Sequence, residues 1–189
     1  PTVGGVIMFE KSLQDLVKGI RANKGKSARK YIAKCMAECK REVNSTDNDM
    51  KAQAVLKLMY LQLLNHDTSW AAFHIVEVMS QSLFRHKRIG YLAAEQCFTS
   101  KTDVILLCTN LLKKEMQSKN QYSVGLAINC LSNIATKDVS RILLGDVVNM
   151  LQSPRPYIRK KAVLVLYKMF LKYPQGLRLC FDHLRGKLE

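Results

Sequence analysis

The chain has 189 residues, 48% of them apolar or aromatic, 24% charged and only four proline, a composition too apolar for disorder and too poor in breakers to interrupt helices often. Thirty Lys and Arg against fifteen Asp and Glu leave a formal charge of +15, which draws the surface toward an anionic partner: a phospholipid membrane, an acidic protein or a nucleic acid. The longest apolar runs, such as Val104 to Cys108 and Ala162 to Leu166, are far too short to cross a bilayer, and with no secretory start a cytoplasmic protein is expected.

In chain order, Leu13, Leu16, Val17 and Ile20 share one face at helical spacing and predict a first helix over residues 9–22. The turn signal Asn23-Lys24-Gly25-Lys26 follows, and Tyr31, Ile32, Cys35, Met36 and Cys39 repeat the pattern up to Asn44. Asp47 or Asp49 caps a third helix that carries Val55, Leu58, Met59 and Leu63. Further helices are expected near Ser69 to Ser80, Arg85 to Thr99, Thr102 to Gln117, Tyr122 to Ala135, Val139 to Leu151 and Pro156 to Lys172, with a last one from Gln175. Thr68, Asp103 and Asp138 are candidate caps or starts, and Pro156 suits a first turn, where its missing N–H has no partner to lose. No strand-like alternation persists.

A repeat runs through this pattern. Ala54-Val55, Gly90-Tyr91, Gly125-Leu126 and Ala162-Val163 set a small residue before a larger apolar one at intervals of about 36 residues. Four and seven residues after the small one stand Leu58 and Leu61, Ala94 and Cys97, Asn129 and Ser132, and Leu166 and Met169, so a similar face recurs, least regularly in the third unit. Small residues let helices cross closely, and the period suits stacked helix pairs of the HEAT or armadillo kind, with an irregular bundle as the alternative.

Catalytic chemistry lacks its residues. His66, His74, His86 and His183 are scattered, the pairs Cys35/Cys39 and Cys180/His183 lie at opposite ends of the chain, and no phosphate-binding glycine loop or nucleophile elbow occurs. No enzyme, metal or cofactor is expected, and the six cysteines read as reduced core thiols. The charge is concentrated instead. Residues 1–42 hold ten basic side chains against Glu10, Asp15, Glu38 and Glu42, and Lys24, Lys26, Arg29 and Lys30 make a candidate patch for an acidic membrane. The clusters Arg85-His86-Lys87-Arg88 and Arg155 with Arg159-Lys160-Lys161 open two further helices, where cations oppose the helix dipole unless an anion or nearby acids compensate. Nucleic acid is the second reading of this charge, without a recognised motif or aromatic interleaving to support it.

The stretches Lys11-Ser-Leu-Gln-Asp-Leu-Val-Lys-Gly-Ile-Arg21, Ser69-Trp-Ala-Ala-Phe-His-Ile-Val-Glu-Val-Met-Ser80 and Phe170-Leu-Lys-Tyr-Pro174 resemble the delta-type large adaptins of the third adaptor protein complex. Lys87-Arg-Ile-Gly-Tyr-Leu92 and Tyr157-Ile-Arg-Lys-Lys-Ala162 are similar to segments shared by large adaptins generally. The resemblance implies an all-α fold, a right-handed α-solenoid of about five HEAT/armadillo-like hairpins running continuously over 1–189 as the N-terminal part of a trunk. It implies a non-enzymatic scaffold in a vesicle coat, peripheral on Golgi and endosomal membranes. Its partners would be beta-type large, medium and small adaptor chains, an Arf-family GTPase and acidic phospholipid.

Two site expectations rest on the resemblance. The phosphoinositide-contacting lysine run of alpha adaptin is matched here only by Lys51, since Ala52, Gln53 and Ala54 replace the rest. The leucines with which gamma adaptin docks its GTPase align with Phe73 and Val76, and His74 and Glu77 lie beside them. An artificial boundary at Lys187-Leu-Glu189 is expected, with apolar surface uncovered around Leu177, Leu179, Phe181 and Leu184.

Overall fold

The computed structural model describes residues 11–186. Among these, ten α-helices and two short 3₁₀ turns follow one another without a strand: α1 (Leu13–Ala22), α2 (Gly25–Glu42), α3 (Asn48–Leu63), α4 (Ala72–Met79), α5 (Phe84–Cys97), α6 (Cys108–Met116), α7 (Gln121–Ile134), α8 (Lys137–Met150), α9 (Pro156–Lys172) and α10 (Gln175–Arg185). The 3₁₀ turns, Ser69–Ala71 and Asp103–Ile105, precede α4 and α6.

The fold is a helical solenoid. Helices α3, α5, α7 and α9 pack side by side in sequence order, while α4 lies on α3 and α5, α6 on α7 and α8, and α10 on α8 and α9. These four side-by-side helices are the ones that carry the repeated small residues. Ala54, Gly90, Gly125 and Ala162 are all buried, as a close helix crossing requires. Most of the core follows from the same faces: Leu58, Leu61, Tyr91, Ala94, Leu131, Leu166 and Met169 are sealed from water. Asn129 is exposed and Ser132 half-buried, so the irregular third unit turns polar groups outward at those positions.

Helix boundaries depart from expectation where local hydrogen bonding overrides periodicity. The first helix begins at Leu13, because Ser12 and Asp15 form a reciprocal capping box; Asp15 N–H reaches Ser12 Oγ at 3.2 Å and Ser12 N–H reaches Asp15 Oδ2 at 3.0 Å. The Ser12 bonds hold the Asp15 carboxyl below its ordinary range. Residues 9 and 10, where that helix was expected to start, lie outside the described residues, as do Lys187 to Glu189. The expected single helices over Ser69 to Ser80 and Thr102 to Gln117 each open instead with a tight turn. In the second, Leu107 N–H bonds Val104 O at 3.0 Å, three residues back, so the α-helix begins only at Cys108.

Of the expected caps, Asp47 holds its place and accepts from Asp49 N–H at 2.8 Å. Three do not. Thr68 is buried and turns its hydroxyl to Gln62 Oε1 at 2.8 Å, leaving Asp67 to accept from Ser69 N–H at 2.9 Å. Asp103 lies inside its 3₁₀ turn, and Asp138 pairs with Arg141 while Thr136 accepts from Val139 N–H at 3.3 Å.

All six cysteines are free, with Cys97 half-buried and the rest buried. Burial pushes the Cys39 thiol up to about 12 and Cys108 up to about 11, so these side chains behave as small apolar residues. On α10, Leu177, Leu179 and Phe181 are exposed, whereas Leu184 is half-buried against the core.

Candidate partner-binding surface

Helix α4 is apolar nearly all round, and its neighbours decide which residues emerge. Ile75, Val78 and Met79 are buried against α3 and α5, and Phe73, on the opposite side, is 64% exposed. Val76 is not an open companion to Phe73: it is half-buried and packs on the core. The surface continues from Phe73 in another direction. Trp70 and Phe73 form one wall of a cleft of about 500 Å³ whose other wall is Thr99, Lys101, Asp103 and Val104, just after α5. Lys40 of α2 stands over the Trp70 ring at 5.0 Å, a cation–π contact that fixes the indole beside the cleft.

The far wall was missed by sequence reasoning. Its signal was the repeat itself, since stacking units about 36 residues apart sets the turn before α4 beside the turn before α6.

His74 and Glu77 are joined to Lys51. Glu77 Oε2 accepts from His74 Nδ1 at 3.0 Å and from Lys51 Nζ at 3.1 Å across the α3–α4 crossing. Burial opposes ionisation of Glu77, but these two bonds outweigh it and hold the carboxyl below the usual glutamate range. Lys51, Glu77 and His74, expected to serve two different partners, are therefore one ion cluster, and Lys51 is half-buried rather than projecting.

Lys24, Lys26, Arg29 and Lys30 are all exposed around the start of α2. That helix has no acidic residue in its first turn, and among the described residues none of these four cations has a carboxylate partner. The cluster opening α5 is different. Asp49 takes both Arg85 and His86, and Glu115 takes Lys87 at 2.6 Å, so nearby acids compensate these three internally. At the start of α9, Arg155 and Arg159 donate to the carbonyls of Lys119 and Ser153 at 2.8 Å each. No helix among the described residues is long and apolar enough to cross a membrane, and none of their His, Cys, Asp and Glu side chains gather in threes as a metal site would need.

Residues 28–189 match the family described as the adaptin N terminal region. Among curated proteins, the chain is 53% identical over 182 residues to the AP-3 complex subunit delta-1 of Bos taurus, covering 96% of this chain and 15% of that protein. It is 50% identical to the AP-3 complex subunit delta of Dictyostelium discoideum (96% and 16% covered) and 45% identical to that of Saccharomyces cerevisiae (96% and 20%). The chain thus spans no more than about a fifth of these relatives. A structure titled a homology model of the full-length AP-3 complex in an intermediate open conformation aligns with a TM-score of 0.67 and 46% identity, over 76% of this chain and 25% of its own. The protein belongs to the adaptin N-terminal family, and within it is similar to the delta subunits of AP-3 complexes.

Proposed function

We propose that this chain is a non-enzymatic scaffold segment of a vesicle-coat adaptor complex, one continuous stretch of trunk that associates with beta-type large, medium and small adaptor chains at Golgi and endosomal membranes. The observation that carries the reading is near-complete alignment, 96% of the chain at 53% identity, with an AP-3 delta subunit. A solenoid serves such a role through extended surfaces rather than a pocket of convergent catalytic groups. Purifying the full-length protein that contains this segment tests the proposal: the other adaptor chains should be recovered with it in stoichiometric amounts. Recovery in ribonucleoprotein instead would favour the nucleic-acid reading.

Within that role, the surface around Phe73 docks the GTP-loaded form of an Arf-family GTPase. Exposure of a large aromatic beside an apolar cleft, on a helix otherwise packed inward, supports this reading. His74 and Glu77 form its polar edge, and Val76 packs on the core beneath the helix.

The exposed cations Lys24, Lys26, Arg29 and Lys30 meet an acidic membrane. Lys51 contributes less, because Glu77 already neutralises it. Each cation near an acidic surface contributes about 1 kcal/mol, so reversing all four should weaken binding to phosphatidylserine vesicles at low salt by at least about a hundredfold. The melting temperature should hardly move, since all four are exposed. Vesicle binding that survives the quadruple reversal in a co-sedimentation assay would reduce the cluster to a solvated face.

A further inference from the structure

Helix α9 carries five basic residues and no acidic one, and the outer part of its surface has a seven-residue period. Tyr157, Leu164 and Leu171 are spaced seven apart and are 41%, 70% and 64% exposed. Seven residues are nearly two full turns, so the three lie along one line with steps of about 10.5 Å. Lys161 and Lys168, four residues after Tyr157 and Leu164, fall between them on the same face and flank the line on one side. Both ammonium groups are held in place from α7: Lys161 Nζ donates to Asn129 Oδ1 at 2.7 Å and Lys168 Nζ to Asn133 Oδ1 at 3.2 Å. Each keeps two further donors for another acceptor. Glu95 feels the charge of both lysines, but its hydrogen bond, at 3.1 Å, comes from Asn133 Nδ2 rather than from either of them.

This is half of a coiled-coil seam with its flanking charges. We propose that the line Tyr157–Lys161–Leu164–Lys168–Leu171 is a docking site for an acidic amphipathic helix of a partner protein. The partner would present apolar residues at the first and fourth positions of each seven, with carboxylates at the matching spacing beside them. A groove of about 300 Å³ between α7 and α9, bordered by Asn129, Ser132, Leu164 and Tyr167, receives the partner's apolar side chains. Charge complementarity selects the occupant. A second copy of this chain would set lysine against lysine on a molecule of charge +15, and a nucleic-acid backbone would leave Leu164 and Leu171 without apolar contact. The inference stands apart from the docking proposed at Phe73 and on α2, which uses other helices.

The test is fluorescence anisotropy of the 189-residue chain with two labelled helical peptides of 21 residues, about three heptads. One carries leucine at the first and fourth heptad positions with flanking glutamates; its twin carries lysine for each glutamate. The acidic peptide should bind at least tenfold more tightly than the twin. Leu164→Ser with Leu171→Ser should weaken it at least tenfold, and Lys161→Glu with Lys168→Glu should reverse the preference between the two peptides. All four side chains are exposed or half-buried, so circular dichroism should report an unchanged fold. Failure of the acidic peptide to bind, binding indifferent to the leucine pair, or an equal loss from reversing Lys24 and Lys26 at the start of α2 would overturn the proposal. So would tighter binding of a single-stranded oligonucleotide that depends on the lysines and not the leucines.

Discussion

Gly90→Ala should be strongly destabilising, although alanine is the better helix former by about 1 kcal/mol. Helix α5 crosses α4 so closely at Gly90 that an added Cβ would stand 2.8 Å from Met79 Cα and from the Val78 carbonyl carbon. Those are backbone atoms, which cannot swing aside as a side-chain tip could. The two helices must separate, and overpacking of this kind costs about 3 kcal/mol, which outweighs the gain in propensity. The expected net loss is about 2 kcal/mol, read in urea denaturation, or a fall of roughly 4–8 °C in melting temperature for a chain of this size. Gly145 provides the control. It lies on the exposed side of α8 with nothing near its missing Cβ, so Gly145→Ala should stabilise by about 0.5–1 kcal/mol. Equal effects at the two glycines would show that the α4–α5 crossing is looser than described.

Glu42→Ala should cost about 3–5 kcal/mol, because it strands a buried cation. Lys57 of α3 is only 4% exposed and reaches Glu42 Oε2 at 2.5 Å and the Lys11 carbonyl at 2.9 Å. That arrangement ties the chain before α1 and the end of α2 to the middle of α3. Removing the carboxylate leaves the ammonium with one neutral acceptor in a site that water barely reaches. Replacing both partners with apolar residues of similar size, Lys57→Met with Glu42→Leu, should recover most of the loss, since the penalty comes from the unpaired charge rather than from the absent bond. If the double variant unfolds as easily as Glu42→Ala, the pair contributes more than its charge balance.

The solenoid was legible because its signal is redundant. Each of α3, α5, α7 and α9 offers a small residue at the crossing and an apolar face at helical spacing, and close packing sustains the helix even where Gly90 and Gly125 lower its propensity. Lys57 was not legible. Nothing in the spacing of Val55, Leu58 and Leu61 tells that a lysine between them is buried, because its partners are Glu42 on α2 and a carbonyl outside any helix. The starts before α4 and α6 were misjudged for a related reason: a 3₁₀ turn and an α-helix put the same apolar residues on nearly the same side for three residues. At the candidate surface, sequence reasoning named Phe73, His74, Glu77 and Lys51, which the fold brings onto or beside α4. It could not foresee that Val76 would pack inward or that Lys51 would be spent on Glu77, since both depend on how α3 and α4 cross.

The docking of a GTPase proposed at Phe73 would join the helical stack to membrane recruitment, and one measurement addresses it most directly. The chain is immobilised and offered an Arf-family GTPase loaded with GTP or with GDP, alongside a Phe73→Ser variant. Val76 is left intact because it packs on the core, whereas Phe73 is exposed enough for its loss to leave the melting temperature nearly unchanged. The chain should retain the GTP-loaded form and not the GDP-loaded form, and Phe73→Ser should lose at least about tenfold of that retention, as truncation of an aromatic anchor does. Retention independent of the nucleotide, or GTP-dependent retention by Phe73→Ser equal to that of the unsubstituted chain, would contradict it.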